Sequence, residues 1–503
     1  MRLRDLLHRA GLGGDPSAFP DAVVTAVTQD AARVTPGAIF VARRGARFDG
    51  HAFVPDAVAA GATLVVGERD VPPTDALAGV PYLRVDDARG AVAHLAATLH
   101  GHPSRRTRVI GVTGTDGKTT TSALAWWLLQ GPAGAAPPGG DAALLSTALV
   151  RLGHDAPGPP GGFTTPEANE VQAFLAAAVD AGARHVVLES SSHGLAQRRL
   201  DAVAYALAIW TNLTPEHLDF HGSFEAYRDA KGVLIARAAH AILCRDDATY
   251  DVYAALPTPS TSYGADPRAD WRLLAADPAP GGQTVRLAAP DGREHAGVLP
   301  LPGRHNALNA VAAVAAAAHE GVPADVAVAR LASFPGIPGR MQVVASDPFA
   351  LVVDFAHTPP ALAAALATVR PMAGPGGRVR VVIGAAGERD PGKRAPLGEA
   401  AVRHADVAYF TEEDARGEDV DAILAALADG ARAAGGAAGD AYHLHPDRRD
   451  AIRAAVADAA PGDVVLLAGK GPEATLERAD GPHPWDEAAE ARAAWAALAS
   501  PPS

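Results

Sequence analysis

The chain has 503 residues, 48% of them apolar, with a formal net charge of −13 and one cysteine, Cys244. That length exceeds what one hydrophobic core supports, so two to four domains are expected. The acidic balance, with no block of like charge, argues against general affinity for nucleic acid or an anionic membrane, and a lone cysteine builds neither an internal disulfide nor a thiolate zinc site, which suits a reducing compartment.

The N-terminus carries an acid early, at Asp5, and lacks the apolar core of a signal peptide. The longest run of small apolar residues, Ala310 to Ala318, is too short to span a bilayer. A cytoplasmic enzyme is the expectation.

Residues 1 to about 104 mix short strands (Val23–Val27, Ile39–Ala42, Thr63–Val66) with a helix from Ala57 that ends near Gly61. The polar tract Phe48-Asp49-Gly50-His51 reads as solvated surface that could otherwise face a ligand. After a linker around Gly101 to Arg106, the apolar run Val109 to Val112 leads into Thr113-Gly114-Thr115-Asp116-Gly117-Lys118-Thr119-Thr120 and then a helical tract. Strand, glycine-rich turn and helix form a phosphate cradle of backbone N–H groups, with Lys118 for the β/γ-phosphates and the Thr119 hydroxyl for Mg²⁺. The alternative is a surface turn that happens to contain Gly-Lys-Thr.

Gly131 to Gly140 reads as a mobile surface loop. Strands follow at His185–Glu189 and Tyr205–Asn212, and their polar tails are the next ligand candidates, because ligands gather at the carboxyl ends of parallel strands. Glu189 is placed to serve as an Mg²⁺ ligand, and His217 could join it or be an ordinary loop histidine. A hydrolase reading of Ser190-Ser191-Ser192-His193 fails, since adjacent residues do not form a triad. On the helix Phe224 to Arg237, Lys231 lies on the apolar face with Phe224, Tyr227, Leu234 and Ile235. By pattern alone it is a lysine snorkelling to water.

Residues 260 to 300 look like a small antiparallel insertion, and Asn306 to Ala318 like a buried helix. Beyond two Pro-Gly pairs at Pro335 to Gly339, strands at Ala350–Asp354, Val379–Ile383, Val407–Thr411 and Asp463–Leu467 alternate with helical tracts, which predicts a doubly wound parallel sheet. The loops at Gly384 to Asp390, Glu412 to Arg416 and Gly469 to Glu473 follow strands and converge on one sheet edge, a place for a charged small molecule.

The order of motifs is specific. Gly114 to Thr120, Thr164-Thr165-Pro166-Glu167, Glu189 to Arg199, Thr211 to Gly222, Asp354-Phe355-Ala356-His357 and Gly469-Lys470-Gly471 together resemble the Mur ligase family along nearly the whole chain. They are most similar to members that add the third peptide residue to UDP-N-acetylmuramoyl-L-alanyl-D-glutamate. The resemblance implies an α/β protein of three domains: a UDP-sugar domain (1–104), a central P-loop-type ATPase sheet (105–337) and a C-terminal Rossmann-like domain for the amino acid (338–503). It implies ATP and Mg²⁺ as cofactors, the nucleotide-linked muramoyl dipeptide and a diamino acid as partners, no nucleic acid or membrane partner, and a monomer.

By resemblance, Gly114, Thr115, Asp116, Gly117, Lys118, Thr119 and Thr120 hold ATP phosphates, and Asn306 and Arg340 lie near ATP. Thr164, Thr165, Ser191, Gln197 and Arg199 would contact the nucleotide-sugar peptide. Thr119, Glu189, His217 and Lys231 would form the metal set, with Lys231 carbamylated by CO₂, and Lys118, Lys231, Glu189 and His217 would carry the chemistry. Arg389, Asp414, Arg416, Gly469 and Glu473 would bind the amino acid.

Three departures matter. Asp30-Ala31-Ala32-Arg33 lacks the serine usual in the first domain, Phe163 replaces a frequent polar residue, and Glu413-Asp414-Ala415-Arg416 replaces the Asp-Asn-Pro-Arg of diaminopimelate-adding members. The extra acid at Asp414 favours lysine or ornithine, whereas the retained Arg416 suits diaminopimelate. Rival readings are a related amide ligase, such as folylpolyglutamate synthetase, or a nucleotide-binding module that ligates nothing.

Overall fold

The computed structural model describes residues 1–45, 49–70, 74–131, 141–152, 164–279 and 281–498. The expected loop at 132–140 and the departure at Phe163 lie outside them, as does Phe48. The chain divides into two compact units, Met1–Trp271 with Ala312–Pro323, and Arg272–Val311 with Ala324–Ser503.

The first unit opens with a four-stranded parallel sheet, Ala26–Thr28, Ala38–Ala42, Leu64–Gly67 and Tyr82–Arg84 in that order. Helices Leu3–Ala10 and Ala88–Leu99 cover one face, where Leu3, Leu7, Val92 and Leu95 pack against Ile39, Val41, Leu64 and Val66. Alternate residues of the same strands, Ala38, Phe40 and Val65, enter a second cluster on the other face. That division follows the two-residue period of a strand.

The unit's main strands run in the order Ser260–Gly264, Ala241–Cys244, Tyr205–Trp210, Arg108–Thr113, His185–Glu189, Ala142–Leu145 and Val150–Leu152. Only the last pairing is antiparallel. Arg108–Thr113 is central and buried after its first residue, the signature of a strand covered on both faces. Ser260–Gly264 pairs parallel to Ala241–Cys244, so it is not part of the expected antiparallel insertion. That insertion comprises Trp271–Ala279, Gly282–Ala288 and Glu294–Leu299.

In the second unit a six-stranded sheet runs Gln342–Ala345, Ala350–Val353, Val464–Leu467, Val379–Ile383, Val407–Thr411 and Tyr442–His445. The first strand is an antiparallel edge and the rest are parallel. Val352, Val381 and Leu466 face a cluster with Leu362, Leu397 and Leu427, while Leu351, Val382 and Val465 face one with Ile452, Val456 and Ala491. Helices therefore cover both faces, as the doubly wound expectation requires. Among the described residues, no helix is long and apolar enough to cross a membrane.

Candidate functional site

The phosphate loop sits at the carboxyl end of the central strand Arg108–Thr113. Gly114 has φ +148°, and a Cβ there would stand 1.8 Å from Thr211 Oγ1, so no side chain fits. Gly117, at φ +78°, begins the helix Lys118–Leu129 without a side-chain cap. An uncapped first turn leaves its N–H groups directed at the space a phosphate would take.

The next strand's polar tail holds the loop open. Asn212 accepts from Asp116 N–H at 2.8 Å and donates its own Nδ2 to Asp116 O at 3.2 Å, while the Thr211 hydroxyl donates to Asp116 O at 2.6 Å. Thr115 Oγ1 lies 3.0 Å from the Tyr227 hydroxyl, and Lys118 Nζ folds back to donate to Thr115 O at 2.7 Å.

The expected metal donors assemble in part. The Thr119 hydroxyl lies 3.0 and 3.1 Å from the two carboxylate oxygens of Glu189, which is 3% exposed and also accepts from Thr147 N–H at 2.8 Å. His217, in left-handed backbone at φ +54°, is more open, with its ring 6.2 Å from that of Tyr227 and 4.7 Å from that of His193. Tyr227 touches Thr115, His217 and Lys231, and burial pushes its hydroxyl pKa up to about 12.

Lys231 does not snorkel. It is 1% exposed, donates Nζ to the carbonyl of Gly114 and lies 4.8 Å over the Tyr227 ring. Burial, and then the neighbouring Lys118 charge, hold its ammonium pKa well below the ordinary lysine value. The helix register that puts Tyr227, Leu234 and Ile235 into the core carries Lys231 with them, and no stretch of its stem reaches water.

Four of the residues assigned to the nucleotide-sugar peptide meet in one network. Thr165 Oγ1 donates to Glu189 O at 3.0 Å, accepts from Ser191 N–H at 2.9 Å and lies 3.0 Å from Ser191 Oγ. Arg199 donates to Thr165 O at 2.6 Å and to Gln197 Oε1 at 2.8 Å, and pairs with Glu167 at 3.1 Å. Thr164 precedes this network in the chain. Arg43 meets Glu167 at 3.3 Å and Arg33 meets Glu170 at 2.7 Å. The segment Asp30 to Arg33, which lacks the usual serine, thus reaches the helix carrying Glu170 through its arginine.

The tract at Asp49 to His51 is less solvated than expected. His51 Nδ1 lies 2.6 Å from Asp49, its Nε2 accepts from Glu68 N–H at 3.1 Å, and its side chain is 6% exposed.

In the second unit, Asn306 donates to Pro302 O at 2.7 Å and is 4% exposed. Arg340 stacks 4.9 Å over the Phe355 ring. Beside it, buried Asp354 accepts from Met341 N–H at 2.8 Å and Ala356 N–H at 2.9 Å, and burial raises its pKa despite those bonds.

The loops after three parallel strands of this unit do converge. Gly387 N–H donates to Asp414 O at 2.8 Å, and Arg416 donates to Gly387 O at 2.7 Å and to Glu477 at 3.2 Å. Asp414 Oδ1 accepts from Glu477 N–H at 2.9 Å and from Lys470 at 2.7 Å. Lys470 also pairs with Glu473 at 2.6 Å. Gly469 has φ +104°, and a Cβ on it would lie 2.6 Å from Glu413 Oε2. Arg389 is exposed and lies in the same loop as Gly387.

Sequence reasoning gave no individual role to Asn212, Thr147, Tyr227 or Lys470, and counted Glu413 only as an acid beside Asp414. Asn212 and Lys470 were legible as polar residues after strands and as members of the motifs Thr211 to Gly222 and Gly469 to Gly471, without a role of their own. Glu413 is buried, Oε2 has no hydrogen-bond partner among the described residues, and burial raises its carboxyl to about 7 against the pull of Arg448, Lys393 and Lys470.

Three domain families match the chain in succession: Mur ligase family, catalytic domain, over residues 23–100; Mur ligase middle domain over 112–317; and Mur ligase, glutamate ligase domain, over 339–471. A UDP-N-acetylmuramyl-tripeptide synthetase of Deinococcus radiodurans is 47% identical, the match covering 98% of this chain and 99% of that one. A UDP-N-acetylmuramoyl-L-alanyl-D-glutamate–2,6-diaminopimelate ligase of Streptomyces coelicolor is 38% identical over 93% of this chain and 92% of that one. A solved structure of a ligase with the same substrate name superposes with a TM-score of 0.71 at 29% identity and full coverage of both chains. With the phosphate loop, the strand-end carboxylate and the converging loops of the second unit in the expected motif order, the chain belongs to the Mur ligase family.

Proposed function

We propose that this Mur ligase joins a diamino acid to UDP-N-acetylmuramoyl-L-alanyl-D-glutamate at the expense of ATP, the third-residue step of peptidoglycan assembly. The observation that carries the reading is the uncapped phosphate loop at Gly114–Lys118 beside buried Glu189, in a chain 47% identical to a tripeptide synthetase. Function is then divided among three domains, residues 1–104, 105–337 and 338–503, for nucleotide sugar, ATP and amino acid.

The γ-carboxylate of the D-glutamyl residue takes the γ-phosphoryl group of ATP in line, giving an acyl phosphate and ADP. The first-turn N–H groups and Lys118 stabilise charge on the transferring group. The unprotonated α-amine of the amino acid then attacks the acyl carbon and phosphate leaves. Thr165, Ser191, Gln197 and Arg199 orient the peptide, while Asp414, Arg416, Gly469, Glu473 and Arg389 orient the amino acid.

Thr119 and Glu189, 3.0 Å apart, would hold a hard divalent cation, with His217 and a carbamylated Lys231 as the further donors; the carbamate would form when the neutral amine adds to CO₂, making an N–C bond and losing a proton. An Mg²⁺ ion held by these residues would supply positive charge for the phosphates. Buried carboxylate and carbamate oxygens suit that ion, whereas a bare ammonium at Lys231 does not.

The amino acid is lysine or ornithine, a reading supported by the acids Asp414 and Glu473. A second reading, diaminopimelate, is favoured by Arg416 and by the substrate in the name of the Streptomyces coelicolor relative. Phosphate release with purified protein, ATP, Mg²⁺, the nucleotide dipeptide and each of the three amino acids tests both. Failure to couple any of them overturns the proposed function.

A further inference from the structure

Lys470 is the most enclosed cation of the second unit's ligand loops, with no exposed surface. The glycines on either side make this possible. Gly469 and Gly471 both have positive φ, +104° and +49°, and a Cβ on Gly471 would stand 2.6 Å from Phe355 Cβ. The turn, closed by Glu473 N–H to Lys470 O at 3.0 Å, drives the lysine side chain inward.

Its ammonium then bridges two loops. It meets Asp414 Oδ1 at 2.7 Å, in the loop after Val407–Thr411, and Glu473 Oε2 at 2.6 Å, in its own loop. Asp414 is enclosed and Glu473 more open, with side-chain exposures of 12% and 39%. Arg416 pairs with Glu477 at 3.2 Å and also lies 3.9 Å from Asp414, while Arg478 pairs with Glu412. Three carboxylates, Asp414, Glu473 and Glu477, share two cations, Lys470 and Arg416, and keep a single uncompensated negative charge, which complements one cationic end group of a ligand.

We infer that Lys470 is a positioning residue for the incoming amino acid, fixing Asp414 and Glu473 in place and trimming their joint charge to suit a single distal ammonium. The inference rests on the reading that these two acids face the amino acid. A buried ion pair that spans two loops holds both in one geometry, and removing one partner leaves the other charge uncompensated. Lys470 itself makes no contact with substrate in this arrangement.

The test measures three KM values for the full chain by phosphate release: for lysine, ATP and the nucleotide dipeptide. In Lys470→Met the KM for lysine is expected to rise at least about tenfold, which corresponds to about 1.4 kcal/mol, with the other two within twofold of wild type. A lysine that merely supports the fold would lower the active fraction, and so kcat, without moving KM. An unchanged lysine KM, or equal rises in all three, overturns the inference. Where Lys470→Met is not recovered folded, Lys470→Met/Asp414→Asn is compared with Asp414→Asn. Glu473 has then lost its anchor, so the lysine KM must still rise alone, and a double variant indistinguishable from the single one overturns the inference. Inactivity of the wild type toward every diamino acid is a separate result, read before any variant, and it removes the proposed function instead.

Discussion

The phosphate-loop corner and the corner where three loops converge each enclose a lysine, and they treat it in opposite ways. At the phosphate loop Lys231 meets a backbone carbonyl and an aromatic face, with no carboxylate at ion-pair distance among the described residues, and burial holds its pKa well below the ordinary lysine value. At the converging loops Lys470 has two carboxylates at ion-pair distance. The first arrangement favours a neutral amine open to chemistry, and the second a fixed charge that organises its neighbours. Burial alone therefore says little about a lysine's role, and the partners decide it.

The same substitution at both positions breaks or supports that contrast. Lys470→Met takes the nearest cation from two carboxylates, one of them buried, and is expected to cost roughly 3 kcal/mol of stability, measurable by denaturant unfolding at neutral pH. Lys231→Met removes an ammonium that burial disfavours, so stability at neutral pH is expected to hold or rise while ligation is lost. A matching loss of stability at both sites would erase the distinction.

Lys118→Ala bears on the phosphate corner alone. It should lower amino-acid-dependent ADP release by roughly 10²–10³-fold, the scale for removing one preorganised charge-stabilising group, and near-normal turnover would refute the loop assignment.

Glu413 sharpens the other corner through pH. Its folded pKa, about 7 against 4.5 for the free group, is raised, so its contribution is fully present below the unfolded value and lost as pH rises from about 4.5 to 7. The shift amounts to about 3 kcal/mol at most. Wild type should lose stability relative to Glu413→Gln between pH 5 and pH 8, as read by thermal unfolding of both at the two pH values. Parallel curves would show that the carboxyl ionises freely.

The smallest effect belongs to an open ion pair. Arg33→Ala, which cuts a contact to Glu170 with both side chains well exposed, should change stability by under about 1 kcal/mol.

Much of this architecture was legible beforehand, for a local reason. A run such as Val379 to Ile383 carries its own β-branched composition, and the structure has a strand over those same residues. Glycines flank the phosphate turn because the backbone there takes φ values that other residues resist. The edge strand Gln342–Ala345 was missed because its residues are only half-buried and carry weak patterning. Lys231 was misread because helical spacing places it on the apolar face without saying how far its stem lies from water.

The sequence by itself determined the alternation of strands and helices, the phosphate loop and the order of motifs that marks the family, since each depends on residues adjacent in the chain. Tertiary structure decided which charges are paired: Lys470 reaches Asp414 across 56 positions, and Thr165 reaches Ser191 across 26. Such contacts depend on how loops from separate strands meet at one sheet edge, and on the dielectric that packing creates around them, neither of which is encoded in any single stretch of residues.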